Sequence, residues 1–443
     1  MHEFAHIGYN AALAATSPLW AAYVLSHGSR RGRGLTALRE QLGRLAPDLL
    51  RESQDRIWVH GVSAGETIAG MPIVNGLAEA LPDAELVFSS TTIAGQQVAR
   101  SKLSAPKHFV HFPLDLPFAV KRSLAIIRPR VFASVEAEIW PNFLHYAHND
   151  GVRTAVVNGT VTDRTLRRAR PVGWVYRWAL SCVDRFCMQT DRDAERIVSL
   201  GAPPERVSVF GNTKFDEPFP ILGEADKRAL RAELGLGDGC EVFLAGSANP
   251  GEDEPVIDAF VQARQSRRAL TLIIAPRQLD RAEAIAAMAR LRGLRAGLRT
   301  GGLDGGEDVI ILNTMGELAK VYAIASVAFV GGTLIPKGGH NLLQPIAQGK
   351  PVLFGPYTFK TSDVARMVLD AGVGFRVSDS EELGFRIADL LASQTRLAEI
   401  AEAARALIAA NKGAAARCVE AIVELYGRSA AGCSRVEAGT HAL

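Results

Sequence analysis

The chain predicts an α/β protein built from two doubly wound, parallel-sheet domains, and three observations carry that expectation. Short β-rich apolar runs alternate with helically spaced segments along nearly all of its 443 residues. Thirteen such runs are more than one open sheet comfortably holds. Between the seventh and the eighth lies GNTKFDEPFPILG (residues 211–223), with two prolines and no clear period, a natural joint between domains. Alternation of this kind means βαβ units with right-handed crossovers and parallel pairing.

The expected strands of the first half are Ile57–Val62, Leu86–Ser89, His108–Phe112, Val131–Val135, Thr154–Val157, Arg185–Met188 and Val207–Phe210. Those of the second half are Glu241–Leu244, Leu270–Ala275, Val309–Leu312, Ser326–Val330, Pro351–Phe354 and Phe375–Val377. The boundaries that follow are an N-terminal segment 1–29, a first domain 30–217, a second domain 218–413, and a final helix with a loose tail over 414–443. The final helix, expected over Ala414–Tyr426, is expected to pack back on the first domain.

From Phe4 to Ser29 there is no Asp, Glu, Lys or Arg, and Arg30, Arg31 and Arg33 follow. The start MHEF lacks the basic flank of a secretory signal. Asn10, Thr16, Ser17 and Pro18 make the stretch weakly hydrophobic for a spanning helix. Trp20 and Tyr23 beside the arginines fit an anchor lying in a membrane surface. A buried, alanine-rich helix is the alternative.

Fifty basic residues against 47 acidic ones leave a net charge of +3, which argues against nucleic acid as a partner. Five cysteines, odd in number and scattered, fit a reducing cytosol. Neither they nor the ten histidines show metal-ligand spacing, so no metal is expected.

Nearly every unusual polar cluster falls just after a strand, where open parallel sheets bind ligands. Two sheets facing each other across a cleft would bring these clusters together, and that convergence says enzyme. In IWVHGVSAGE, Ser63 and Glu66 read as a capping box, Ser63 at the N-cap and Glu66 returning to the backbone. The cap is the default reading of the bare match; the functional one makes Glu66 a cleft carboxylate able to deprotonate a hydroxyl. Glu136 and Glu138 would share a side if their strand continued, favouring a cation or hydroxyl between them; an ordinary strand end is the alternative. Arg164, Arg167, Arg168 and Arg170, followed by Trp174, Tyr176, Arg177 and Trp178, read as an amphipathic surface helix or as a platform for anionic headgroups. In the second domain Arg277 follows TLIIAP, Met315-Gly316-Glu317 follow VIILNT, and a loop with Gly331, Gly332, Gly338 and Gly339 follows Val327–Val330. Together these are expected to enclose a nucleotide, with loop N–H groups on its phosphate.

Taken in order, the motifs resemble the Kdo transferases, which move 3-deoxy-D-manno-octulosonic acid from CMP-Kdo to the lipid A precursor. The matching stretches are VHGVSAGE (59–66), PLDLPFAVKR (113–122), RPRVFASVEAEIWPN (128–142), QTDRDAERIVSLGAPPERVSVFGNTKFD (189–216), MGELAKVYAIASVAFVGGTLIPKGGHN (315–341) and GKPVLFGPYTF (349–359). The resemblance implies a GT-B fold and metal-independent, inverting transfer, with no cofactor beyond the CMP-sugar. It also implies residence at the cytoplasmic face of the bacterial inner membrane, held there by an apolar N-terminal anchor. It assigns the general base to Glu66, the acidic pair to Glu136 and Glu138, and the lysine of the G-N-x-K motif to Lys214. Donor-binding positions fall on Ser247, Asn249, Arg277, Met315, Gly316, Glu317, Gly338, Gly339, Asn341 and Gln344. Acceptor positions fall on Ser63, Gly65, Arg164 and Arg168.

The chain departs from the family at four places. Asn249 stands where a histidine is usual and Gln344 where a glutamate is usual. Thr160 replaces an arginine and Gln278 a histidine. The rivals these departures leave are a related GT-B enzyme using another ulosonic acid or nucleotide sugar, and a non-catalytic sugar-binding homologue.

Overall fold

The computed structural model describes residues 2–28, 35–46, 49, 55–136, 138–217, 219–237 and 239–440; the side chains of 2, 17–28, 35, 163–164 and 429–440 lie outside that description. Two compact units result, Met1–Glu217 with Asn411–Leu443, and Pro218–Ala410.

Seven parallel strands make the sheet of the first unit: β1 (Arg56–His60), β2 (Glu85–Ser90), β3 (His108–His111), β4 (Pro129–Val135), β5 (Arg153–Gly159), β6 (Arg185–Met188) and β7 (Val207–Val209), in the order β3-β2-β1-β4-β5-β6-β7. Seven more make the second: β8 (Glu241–Ala248), β9 (Leu270–Pro276), β10 (Ala296–Leu298), β11 (Val309–Ile311), β12 (Val327–Val330), β13 (Val352–Phe354) and β14 (Gly374–Arg376), ordered β10-β11-β9-β8-β12-β13-β14. The strand order reverses between β1 and β4 in one sheet and between β8 and β12 in the other, and these switch points are where doubly wound sheets bind ligands. Thirteen strands match the apolar runs. The fourteenth, β10, is a half-buried Ala-Gly-Leu at a sheet edge, too short and too little buried to leave a run.

The core of the first unit lies between its sheet and the helices that cover it. Ile57 and Val59 of β1 and Ala133 and Val135 of β4 are fully buried against Ile73, Val74 and Leu77 of the helix Ala64–Ala80. Burial of each of these three helix side chains is worth about 1.5–3 kcal/mol. Gly70 is obligatory in this contact, because a Cβ there would stand 2.9 Å from Val135 Cγ2. The last helix, Ala414–Thr440, completes the same core with Ala415, Cys418, Val419, Ile422 and Leu425. It continues past the Tyr426 end that the sequence suggested; the segment after Arg428 is free of proline and rich in alanine, which favours helix.

The helix His2–Gly28 docks by its first half on the first unit. Tyr9 donates to Asp115 (2.9 Å), and the amides of Asn10 and Asn142 pair reciprocally at 2.9 Å. Ala5 and Tyr9 pack on Val175 and Trp178. Phe4 and Ile7 face outward, 82% and 64% exposed. Among the described residues no helix is long and apolar enough to cross a membrane.

Candidate active site

At the switch point of the first unit, β1 turns through Gly61 and Val62 into the helix Ala64–Ala80. Ser63, extended at φ −115°, caps that helix, its Oγ accepting from Glu66 N at 3.4 Å. The Glu66 carboxylate returns to the turn: Oε2 accepts from Val62 N (2.7 Å) and Oε1 from the Ser63 hydroxyl (2.9 Å). The capping box is therefore real, and the same contacts hold the carboxylate still. Burial, then the neighbouring Glu136, push Glu66 up to about 7, against the opposing pull of Val62 N–H and Ser63; Glu138 adds a smaller push. A half-buried carboxylate poised near neutrality is suited to take a proton. Gly65 lies beside it on the first helical turn, exposed.

The strand does not continue through Glu136, so the condition for a shared side is not met. β4 ends at Val135, and Glu136 sits in the left-handed region at φ +62°, its N–H held by Val157 O at 2.9 Å. The acidic pair converges through this turn and not through strand alternation. Glu138 is raised by burial and by Glu136. Lys214 Nζ approaches Glu136 Oε1 at 3.8 Å. Its short helical turn Thr213–Asp216 is fixed from several sides: Asn212 Oδ1 accepts from Lys214 N (3.0 Å), Asn158 Oδ1 from Thr213 N (3.0 Å), and Thr213 Oγ1 donates to Ala69 O (2.7 Å). Asp216 then accepts from Gly413 N (2.6 Å) and Ala415 N (2.7 Å) at the start of the last helix. Ser63, Glu66, Glu136, Glu138 and Lys214 thus form one group.

Of the residues expected for the acceptor, Arg168 is exposed on the helix Asp163–Ala169 and no described contact links it to Glu66. The Arg164 side chain lies outside the described residues. Arg167, Arg170 and Arg177 line a cavity of about 710 Å³ with Ser199 and Leu200. Trp178 is buried in the core instead of belonging to an exposed platform.

In the second unit, Ser247 stands one residue before the end of β8 at φ +56°. Three non-glycine residues with positive φ (Glu136, Asn158 and Ser247) therefore stand at strand carboxyl ends, each at a cost of about 1–3 kcal/mol, and such strain gathers at functional sites. The glycine-rich loop after β12 lies against β8 so closely that a Cβ on Gly331 would be 2.4 Å from Ser247 O. Glu252, fully buried, joins the two loops: Oε2 accepts from Asn249 N (2.9 Å) and Gly332 N (2.7 Å), Oε1 from Thr333 N and Leu334 N (both 3.0 Å). This narrows the expected phosphate cradle. The N–H groups of Gly332, Thr333 and Leu334 are turned to an internal carboxylate, and Gly339 N donates to Gly332 O at 2.8 Å. Sequence reasoning did not single out Glu252; its position just before the helix Asp253–Arg264 was the available signal.

Asn249 defines a neighbouring side chain that sequence reasoning passed over. Its Nδ2 donates to Ser247 O (3.0 Å) and lies 3.0 Å from His340 Nε2. Ser247 O only accepts, so the amide nitrogen faces it and donates its other hydrogen to His340. His340 Nε2 is then the lone-pair nitrogen, and Nδ1 carries the proton. Burial, Arg277 and Lys360 lower the pKa of His340 and keep it neutral. Gly338 and Gly339, at φ +97° and +86°, have no room for a Cβ beside Phe359 and Thr361. Asn341 Oδ1 accepts from Leu343 N (2.9 Å), and Gln344 is half-buried on the short helix Leu343–Ala347. Met315, Gly316 and Glu317 follow β11, which β9 separates from β8, so they stand roughly 10 Å along the sheet from the Asn249–His340 group. Met315 is exposed, and Glu317 is engaged by Thr314 and Arg299. Among the described residues no group of side chains is arranged to hold a metal ion.

The chain was compared with known proteins. The family model described as 3-Deoxy-D-manno-octulosonic-acid transferase (kdotransferase) matches residues 36–217. A 3-deoxy-D-manno-octulosonic acid transferase of Bordetella pertussis is 35% identical over 387 residues, covering 84% of this chain and 87% of its own. A bifunctional glycosyltransferase/methyltransferase of Fusobacterium nucleatum subsp. nucleatum is 34% identical over 353 residues, 78% of this chain; the chain spans about half (54%) of that protein's length. The solved UDP-GlcNAc 2-epimerase from Neisseria meningitidis bound to UDP-GlcNAc superposes with a TM-score of 0.56 at 12% identity, over 83% of this chain and 100% of that one. That likeness speaks for the GT-B type of fold alone.

Proposed function

The chain belongs to the 3-deoxy-D-manno-octulosonic acid transferase family of glycosyltransferases, and from that membership and the Glu66 group we propose that it transfers Kdo from CMP-Kdo to a lipid A precursor with inversion. The observation that carries the proposal is a carboxylate at a switch point, fixed by Val62 and Ser63 and pushed up to about 7 by burial and Glu136. Glu66 takes the proton of the acceptor hydroxyl. The hydroxyl oxygen forms its bond to the anomeric carbon while the sugar–phosphate bond breaks, and that electron pair leaves with CMP.

Lys214 meets the donor's carboxylate, and Arg277 with the Nδ1–H of His340 meets the departing phosphate. His340 takes the place of the loop N–H groups that Glu252 occupies. No metal or other cofactor enters the scheme. The arginine-lined cavity supports recognition of an anionic lipid. The outward Phe4 and Ile7 support residence on a membrane surface, here the cytoplasmic face of the bacterial inner membrane.

The test is CMP release by detergent-solubilised protein given CMP-Kdo and a tetra-acylated lipid A precursor, wild type beside Glu66→Ala. General-base catalysis contributes about 10²–10⁴ in rate, so the variant is expected to lose that factor in kcat while CMP still binds. Near-normal turnover would leave Glu66 as a helix cap only.

A further inference from the structure

A second cavity, of about 490 Å³, opens at the amino ends of β12 and β13, the sheet edge opposite the Asn249–His340 group. Its lining charges are Lys227, Arg228 and Arg231 on the helix Glu224–Glu233, Lys350 just before β13, and a single carboxylate, Glu224. That leaves three positive charges in excess. Ala323, Ile324, Leu397 and Ala401 supply an apolar wall.

The partners of these cations are unequal. Lys227 Nζ donates to Glu224 Oε1 at 2.8 Å, and Arg231 Nη2 donates to Gly237 O and Cys240 O at 3.0 and 2.8 Å. The Lys350 ammonium has no hydrogen bond or ion pair among the described residues. Burial, with Lys227 and Arg231 nearby, lowers it to about 8, and Glu224 offsets this only in part. A half-buried ammonium with no direct ion pair and only partial compensation from Glu224 is costly unless a further anion reaches it. The opposed helix Gln394–Asn411 brings Gln394, Leu397, Ala398 and Ala401 to the cavity and no charge.

We infer that this cavity is an anion site for a phosphomonoester, separate from the donor site of the transfer reaction. A phosphomonoester carries up to two negative charges with three acceptor oxygens, matching an excess of three cations better than a single carboxylate does. The apolar wall accommodates the body of the ester, and the volume admits one of nucleotide size. Two sources share this chemistry, a soluble phosphate ester and a phosphate headgroup at a lipid surface. Neither enters the Glu66 chemistry, so the inference stands or falls apart from the proposed transfer.

An anion on Lys350 would hold its proton and mask its amine, and trace acetylation reads this at the residue itself. The full chain is labelled at pH 8, and the Lys350 peptide is quantified by mass spectrometry. One arm contains inorganic phosphate, one contains phosphatidylcholine vesicles with phosphatidic acid, and one contains sodium chloride of equal ionic strength. Labelling of Lys350 is expected to slow at least threefold with phosphate or with the phosphatidic acid vesicles, and the arm that protects identifies the source. Protection is expected to vanish in Lys227→Ala/Arg228→Ala, whose substitutions lie on a largely exposed helix and leave Lys350 in place. Equal labelling in all three arms would overturn the inference, and so would protection that persists in the double variant.

Discussion

Glu252→Gln tests the organisation of the second unit most directly. The wild-type carboxylate receives four backbone N–H groups, from Asn249, Gly332, Thr333 and Leu334, at 2.7–3.0 Å in a fully buried position. Glutamine has nearly the same shape but one acceptor oxygen with two lone pairs. At most two of the four donors keep a partner, and the other two face an NH₂ group that only donates. Each buried donor left without a partner costs about 1–3 kcal/mol, so the substitution is expected to cost about 4 kcal/mol. For a unit of this size that corresponds to a fall in Tm of about 8–16 °C. Scanning calorimetry of the full chain is the assay, with the loss expected in the transition of the second unit. A Tm change below about 2 °C would refute the reasoning, since it would mean that these contacts are not what holds the two loops together.

With Glu66 as the proposed base, the acid limb of kcat/KM is expected near pH 7, since a base works ionised and its pKa is raised; each pH unit below 7 then costs about tenfold. In Glu138→Gln one repelling charge is gone, so the limb is expected to move to lower pH; an unmoved limb in a pH–rate profile would assign it to another group. Asn249→Asp replaces the donor to His340 Nε2 with a carboxylate that only accepts. The His340 pKa is then expected to rise, because a carboxylate favours the charged imidazole, followed by NMR titration of the imidazole, and an unchanged titration would contradict the tautomer argued for His340.

Much of the fold was legible because parallel strands buried on both faces leave apolar runs, as TLIIAP and VAFV do. β10 escaped because an edge strand of Ala-Gly-Leu buries too little to need one. The capping box of Ser63 and Glu66 was legible in the S-x-x-E spacing, and the contacts of Glu66 with Val62 and Ser63 show it. The geometry of Glu136 was not. Strand alternation assumes extended backbone, and a left-handed residue at the strand end breaks that assumption without leaving a glycine to mark it. The role of Glu252 was hidden for a different reason. Its partners Gly332, Thr333 and Leu334 lie 80–82 positions away, and a glycine-rich loop reads the same whether its N–H groups face a ligand or a buried side chain. The Asn158–Thr213 bond, spanning 55 positions, is equally non-local.

The last helix carries a consequence for the order of events during synthesis. The core of the first unit includes Cys418, Val419, Ile422 and Leu425, and Asp216 receives Gly413 N and Ala415 N. The whole second unit is therefore an insert in the chain of the first, entered after Glu217 and left before Asn411. Domains usually fold in the order in which the ribosome delivers them. Here the unit begun first is the one completed last: residues 218–410 are free to fold once they emerge, while the carboxylate-bearing unit waits with an open face on its sheet for its final helix. A nascent chain stalled before residue 411 would carry every residue of the second unit while the first still lacked the helix that completes its core.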